Sequence, residues 1–142
     1  MVRLTPGSAA EIVRQAHQSQ IIFIAGETGC GKSSGVPQAL REDSLARQEP
    51  DECILISQPR RLAAVAVATR VASERGVPIG DEVGFSIGGQ HCAGEKTRLL
   101  FVTAGVLLER LRTQVHSHTR ARAHPHTHTH IHHARVHAHA ET

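Results

Sequence analysis

The sequence predicts an α/β domain with a mainly parallel sheet, because apolar strand-like runs alternate with helix-like segments along the chain. The first apolar run is continuous and β-branched and stops at Gly26, which favours a strand buried on both faces of a parallel sheet. Three further runs have the length and composition of strands. The predicted strands cover residues 21–25, 53–57, 83–87 and 97–103.

Helices are predicted before, between and after these strands. Ser8, with Glu11 three positions later, has the spacing of a capping box and predicts a short helix over residues 8–18. Another helix is expected from about Lys32, and Pro37 should kink this helix or shift its start. The two remaining helices follow the second and fourth strands, one ending near Gly76 at a left-handed cap and one over residues 106–111.

Length and composition limit the chain to one small domain. It has 142 residues, of which 39% are apolar and 20% charged, a globular composition. No run approaches the roughly eighteen apolar residues of a membrane span, and the N-terminus lacks the layout of a signal peptide. The three cysteines form no CxxC pair, which argues against a disulfide framework or a zinc site. An intracellular protein, nuclear or cytoplasmic and not attached to a membrane, is therefore expected.

The net charge of +3 does not by itself indicate a nucleic-acid partner. Residues 116–142 hold Arg120, Arg122 and Arg135 against Glu141 alone, so this segment carries +2 and the rest of the chain only +1. Only particular arginines elsewhere in the chain could therefore indicate a nucleic-acid partner.

A phosphate-binding loop is the most specific local motif. Gly26, Gly31, Lys32 and Ser33 match G-x-x-x-x-G-K-[ST] between a predicted strand and a predicted helix, the context that such a loop requires. Backbone N–H groups and the helix dipole would hold phosphates, Lys32 would reach the β- and γ-phosphates, and the Ser33 hydroxyl would ligate Mg²⁺. The predicted cofactors are ATP and Mg²⁺. The predicted nucleotide-binding residues are Gly26, Glu27, Thr28, Gly29, Cys30, Gly31, Lys32, Ser33 and Ser34.

Two plainer interpretations accompany this loop. The first is a glycine turn with an incidental lysine, which the flanking strand and helix disfavour. The second concerns Cys30, which we interpret as a small side chain at a crowded turn in preference to a reactive thiol.

Four segments in a fixed order resemble the DEAH/RHA family of ATP-dependent RNA helicases. Residues 26–38 resemble the family's motif I, residues 57–64 with the helix 68–76 its motif Ia, residues 83–87 the strand between motifs, and residues 103–108 its motif Ib. These matches cover most of residues 20–115. The resemblance implies an incomplete RecA-like P-loop NTPase domain with a mainly parallel sheet.

The resemblance also implies contacts with RNA. Arg60 and Arg61, between a strand and a helix, would meet backbone phosphates of a single RNA strand, as would Thr103. Standing alone, the two arginines would be interpreted as ordinary solvated residues at the start of a helix. The sequence departs from the family pattern at Ser34-Gly35, where the family usually has Thr-Gln, and at residues 88–90, where Gly-Gly-Gln replaces an arginine, an apolar residue and an acid.

Hydrolysis in this family also requires an Asp-Glu-x-His motif and a second RecA-like domain, and neither occurs in the sequence. The acidic pairs at residues 51–52 and 81–82 lack the histidine and precede motif Ib, so we interpret both as unrelated to that motif. The expected function is that of an ATP-binding fragment of an RNA helicase that is inactive alone. The alternatives are a non-catalytic product that binds RNA or an unknown protein partner, a different P-loop enzyme such as a kinase or GTPase, and a metal-binding protein.

Residues 116–142 hold ten of the twelve histidines and cannot build a core, so they predict a disordered tail. Alternating His and Thr fit translation of a dinucleotide repeat, and our hypothesis is a truncated or mis-spliced helicase ending in non-coding sequence. The alternative is binding of Zn²⁺, Cu²⁺ or Ni²⁺ by histidines on one face of an extended chain.

The predicted organisation is thus a lead-in with a helix at 1–19, a partial RecA-like domain at 20–115 and the tail at 116–142. The resemblance implies that strands missing from the chain would lie between the strands of motifs I and Ia. We therefore expect exposed apolar edges.

Overall fold

The structure, a computed structural model, describes residues 5–121 and 135–137. Its helices are α1 (Pro6–Gln18), α2 (Gly35–Ala46), α3 (Arg61–Arg75) and α4 (Ala104–Ala121). Its strands are β1 (Ile21–Phe23), β2 (Ile54–Gln58), β3 (Val83–Ile87), β4 (Gln90–Cys92), β5 (Leu99–Thr103) and β6 (Arg135–His137). The alternation of helices and strands confirms the predicted α/β class.

The main sheet has four strands in the order β2-β5-β3-β4. Strand β5 pairs in parallel with β2 on one side and with β3 on the other, so that Phe101 lies between Ile56 and Phe85. Only β4 runs antiparallel, as the second strand of a hairpin with β3. The mainly parallel sheet is confirmed. The sequence did not predict β4, because three residues at the sheet edge carry no apolar alternation.

Strand β1 lies outside this sheet and pairs in parallel with β6, in a separate two-stranded sheet. Two of its three side chains are open to solvent, since Phe23 is 89% exposed and Ile21 61% exposed, while Ile22 is half-buried. The prediction that this strand is buried on both faces is therefore wrong, since Ile21 and Phe23 share one face and both are exposed. The exposure agrees with the expectation of exposed apolar edges.

Helix α1 begins earlier than the sequence predicted. Thr5 is its N-cap, with Pro6 in the first turn, and the Thr5 hydroxyl oxygen accepts the Ser8 backbone N–H at 3.3 Å. Ser8 is therefore a residue of the first turn, and Glu11 binds the Arg14 guanidinium instead of completing a capping box. The prediction of Ser8 as the cap is wrong, because Thr5 and Pro6 together make a better start.

Helix α2 begins at Gly35, three residues after the predicted start at Lys32. Pro37 then occupies the first turn, where a backbone N–H has no carbonyl to bind within the helix. Of the two expected effects of the proline, the shifted start is the one observed.

The core lies between helix α3 and the four-stranded sheet. Small side chains on α3 allow its backbone to approach the strands closely, and all are buried: Ala64, Ala68, Val71 and Ala72. They pack against Val83, Leu99 and Phe101, none of which has any exposed surface. The helix ends at Gly76, which has φ of 68° and confirms the predicted left-handed cap.

The last helix is longer than predicted, since α4 covers Ala104–Ala121 and not only residues 106–111. It therefore extends six residues past the predicted start of the tail. Apart from those residues and β6, the tail lies outside the described part of the chain, so the predicted disorder there is untested. Within the described part, no helix is both long and apolar enough to cross a membrane.

Glu82, in the turn before β3, binds both α2 and α3. The Glu82 carboxylate accepts hydrogen bonds from Arg41 of α2 at 3.0 Å and from Arg75 of α3 at 2.9 Å. Arg41 is only 6% exposed and also donates to the carbonyl oxygen of Pro50 at 2.9 Å. Arg75 reaches back to Glu42 of α2 at 2.7 Å. These bonds fix α2 and the end of α3 to the turn before β3.

Replacing Gly84 of β3 by alanine should destabilise the fold. A Cβ at this position would lie 2.5 Å from the carbonyl oxygen of Cys92 and 2.8 Å from the Cβ of Ala93, and the backbone would have to move. We expect the free energy of unfolding, measured by urea denaturation, to fall by about 2 kcal/mol. Gly7→Ala is the control, since nothing lies within 4 Å of that site. Equal stability of Gly84→Ala and wild type would contradict the packing described.

The Glu82 interactions should depend on pH. Burial by itself would raise the pKa of Glu82, but hydrogen bonds from Arg75 and Arg41 outweigh it and hold the pKa below 4.5. A carboxylate with a lowered pKa stabilises the fold above its unfolded-state pKa, and this is lost as the pH falls through the folded-state pKa.

We therefore expect Glu82→Gln to lower the free energy of unfolding by about 1–2 kcal/mol at neutral pH. The difference from wild type should shrink as the pH falls below 4.5. Urea denaturation over an acidic pH series measures this, with the exposed Glu109→Gln as control. A difference that stays constant down to the lowest pH would contradict the assignment.

Candidate functional site

The predicted phosphate loop, residues 24–34, connects β1 to α2. Gly29 and Gly31 have φ of 84° and 98°, a left-handed conformation that favours glycine. Gly26 faces Cys30, whose Sγ would lie 3.0 Å from a Cβ at position 26. Glycine is therefore sterically favoured at these three positions. The small side chain of Cys30 fits the crowded turn, as the plainer interpretation proposed.

The Gly31 carbonyl oxygen joins the loop to the helix. It accepts the backbone N–H groups of Ser34, Gly35 and Val36 at 3.3, 2.6 and 3.3 Å. Ser34 is the N-cap of α2, but its side chain makes no capping hydrogen bond. The positive end of the helix therefore meets the loop without a capping side chain, an arrangement that suits an anion.

Several backbone donors of the loop are available to a ligand. Among the described residues, no protein group accepts the N–H groups of Gly29, Gly31, Lys32 or Ser33. The Ser33 hydroxyl likewise has no protein partner within the described part of the chain. Consecutive N–H donors of this kind form a concave anion-binding nest.

Lys32 folds back onto the loop. Its Nζ donates to the carbonyl oxygens of Glu27, at 2.7 Å, and of Gly26, and lies 3.5 Å from Cys30 Sγ. These neutral acceptors bind an ammonium less strongly than a phosphate does, because hydrogen bonds between charged partners are stronger. A phosphate entering the nest would offer Lys32 a better partner. Glu27 and Thr28, also predicted as nucleotide-binding residues, lie exposed in the loop.

A second candidate surface lies at the carboxyl edge of the main sheet. Because β2 and β5 are parallel, the segments after them leave at the same edge, and Gln58 is the register partner of Thr103. Arg60 is the extended N-cap of α3, and Arg61 is the first residue of that helix. Both arginines are exposed and Thr103 is half-buried. The structure thus brings the three predicted RNA-binding residues to one edge, beside the N-termini of α3 and α4.

The turn between β3 and β4 borders this edge. The Arg61 guanidinium lies over it, with Nη2 only 3.3 Å from where a Cβ of Gly88 would stand and 3.6 Å from that of Gly89. Gly89 has φ of 83°, which a tight hairpin turn requires. The sequence reasoning missed this neighbour of Arg61. The Gly-Gly pair followed by a polar residue was the signal that could have predicted the hairpin.

Three carboxylates of the two acidic pairs, those of Asp51, Glu52 and Glu82, have side-chain partners. Asp51 accepts from Arg98 at 2.8 Å, while Glu52 binds the Ser44 hydroxyl and Arg47. Glu82 is held by Arg41 and Arg75, as described above. Within the described residues, no group of three or more His, Cys, Asp or Glu side chains could hold a metal ion. The tail histidines lie outside the described residues, so metal binding there remains a hypothesis.

Comparisons with known proteins point to one kind of enzyme, although no protein-family model matches the chain. It is 42% identical over 102 residues to the DExH-box ATP-dependent RNA helicase DExH1 of Arabidopsis thaliana, a match covering 71% of this chain and 10% of the relative. It is 45% identical over 94 residues to DExH3 of the same plant, covering 66% and 8%.

A third relative is the probable ATP-dependent RNA helicase spindle-E of Anopheles gambiae, 42% identical over 106 residues, which covers 75% of this chain and 7% of the relative. The chain thus matches a tenth or less of the length of these curated relatives. The matches extend over roughly 70% of the chain, as a partial helicase domain would.

Proposed function

We propose that this chain, which belongs to the DExH/DEAH-box family of ATP-dependent RNA helicases, binds ATP with Mg²⁺ in its loop 24–34. The observation that carries the proposal is the set of loop N–H groups that no acceptor in the described part of the chain binds, next to the Lys32 ammonium just before α2. Relatives named as ATP-dependent helicases support a nucleoside triphosphate over another anion.

Each part of the loop has a role in this proposal. The N–H groups of Gly29, Gly31, Lys32 and Ser33 donate to phosphate oxygens, and the α2 dipole adds to the positive potential. Lys32 leaves the carbonyl oxygens of Gly26 and Glu27 and binds the β- and γ-phosphates. The Ser33 hydroxyl would ligate Mg²⁺, whose charge would offset part of the phosphate charge.

We further propose that single-stranded RNA binds at the carboxyl edge of the sheet. Arg60, Arg61 and Thr103 share this edge with two helix N-termini, so cationic and N–H donors face the same side. Such donors recognise the phosphate backbone and carry no sequence information. Sequence-independent binding is therefore expected.

Unwinding is proposed only for longer proteins of this family. The chain corresponds to a tenth or less of the length of its relatives. The carboxylates of Asp51, Glu52 and Glu82 accept hydrogen bonds from arginines that hold the fold together. We propose binding as the function of this chain. Binding of RNA without hydrolysis is the second candidate, since the sheet edge is formed independently of the loop.

Replacing Lys32 by alanine should weaken nucleotide binding strongly. Loss of a charge-assisted hydrogen bond to phosphate costs about 1.5–3 kcal/mol, roughly a ten- to hundredfold increase in Kd. Titration with a fluorescent ATP analogue in the presence of Mg²⁺ measures this. Lys96→Ala removes an exposed lysine outside the loop and should bind as wild type does. Equal affinity of Lys32→Ala and Lys96→Ala would contradict the proposal.

The double substitution Arg60→Ala and Arg61→Ala should weaken RNA binding and its salt dependence together. Each lost phosphate contact on a single strand lowers the slope of log K against log salt by about 0.7, so the slope should fall by about 1.4. Fluorescence anisotropy of labelled oligouridylate over a salt series measures it. Arg14→Ala, in α1, is the control. An unchanged slope would place the RNA elsewhere.

A further inference from the structure

We propose that Gln38 is a positioning residue of the phosphate loop, an inference that rests on the proposed binding of nucleotide there. Its side-chain Nε2 donates two hydrogen bonds, one to the carbonyl oxygen of Ser34 at 3.0 Å and one to the Glu74 carboxylate at 2.9 Å. Ser34 is the last residue of the loop, and Glu74 lies in the last turn of α3. One amide group therefore joins the end of the loop to another helix.

The start of α2 needs such a support, because its own sequence is a weak helix start. The Ser34 side chain makes no capping hydrogen bond, and the first helical residue, Gly35, has more backbone freedom to lose than alanine would. The loop end is thus held by the contacts of the Gly31 carbonyl, by the buried Val36 and Pro37 that follow it, and by Gln38.

Glu74 is a firm anchor for this bridge. Arg70, one turn earlier on α3, donates to the other carboxylate oxygen of Glu74 at 2.9 Å, so the carboxylate is oriented from within its own helix. Helix α3 is in turn fixed by the buried packing of Ala68, Val71 and Ala72 on the sheet. Gln38 therefore fixes the position of the Ser34 carbonyl relative to the packed core.

The Gln38 bridge restrains the donors next to Ser34. The Ser33 N–H and hydroxyl immediately precede it, and the Ser33 hydroxyl is the proposed Mg²⁺ ligand. Without the bridge, residues 33–34 gain conformational freedom, and the nucleotide must order them on binding. Binding of Mg·ATP should suffer more than binding of Mg²⁺-free ATP, because only the former uses the hydroxyl.

The fold does not depend on this bridge. A separate ion pair between Arg75 and Glu42, at 2.7 Å, and the shared partner Glu82 also join α2 to α3. Removing the Gln38 amide should therefore leave the two helices together. This separates a role in positioning from a role in stability.

The test uses the full chain, the Lys32→Ala variant introduced above and four further variants. Gln38→Met keeps the length of the side chain and removes both donors, and Gln38→Glu places a carboxylate against Glu74 and the Ser34 carbonyl. Glu74→Gln keeps an oxygen that can accept from Gln38. Gln15→Met, the control, removes a glutamine donor to a glutamate at the same 2.9 Å distance, in α1. Affinity for the fluorescent ATP analogue, with and without Mg²⁺, and Tm are measured for each.

We expect Gln38→Met to raise the Kd for Mg·ATP about three- to tenfold with little change in Tm, and to raise the Kd for Mg²⁺-free ATP less. Gln38→Glu should bind more weakly still. Gln15→Met should bind within about twofold of wild type, and Glu74→Gln, which keeps an acceptor for Gln38 but loses the bond from Arg70, should bind between wild type and Gln38→Met.

A wild-type chain that does not bind ATP, or a Lys32→Ala chain that binds equally well, would refute the proposed function itself. If Lys32→Ala weakens binding while Gln38→Met binds as wild type does, only the role of Gln38 is refuted. A lower Tm of Gln38→Met at unchanged affinity would show a structural role and would also refute the inference. An equal increase in Kd with and without Mg²⁺ would refute it as well.

Discussion

Strand β5 is the constraint on which the arrangement of the described residues depends. Leu99, Phe101 and Val102 have no exposed surface and Leu100 is 3% exposed, so the strand must lie inside the sheet with neighbours on both sides. Those neighbours, β2 and β3, both run parallel to it. The carboxyl ends of three strands therefore share one edge, and the segments that leave them bring Arg60, Arg61 and Thr103 together.

The loop is held differently, because β1 is not part of that sheet. Its connection to the core runs through α2 and the polar bonds that α2 makes with the end of α3 and with Glu82. Charged hydrogen bonds of this kind are directional, and each fixes one orientation of the helices where apolar contact alone would allow several. The candidate nucleotide site is thus positioned by these polar bonds together with the buried Val36 and Pro37 of α2, and the candidate RNA edge by sheet packing.

The sequence by itself determined the features that depend on local backbone geometry. The strand at residues 83–87, the left-handed cap at Gly76 and the glycine positions of the loop are found where they were predicted. In each case the signal and the structure lie within a few residues of each other: a run of strand formers, or a backbone angle that only glycine adopts readily. The order of these local signals along the chain, with strands alternating with helices, then predicts the α/β class.

Only the tertiary structure decided what depends on residues distant in sequence. The apolar run of β1 has the pattern of a buried strand, yet burial needs a layer packed over each face of the sheet, and that cannot be read from the run itself. Arg61 over Gly88 and Gln38 on Glu74 join positions 27 and 36 residues apart. No local pattern encodes such a pair, because its distance is set by how α2, α3 and the β3–β4 turn pack on strand β5 and its neighbours.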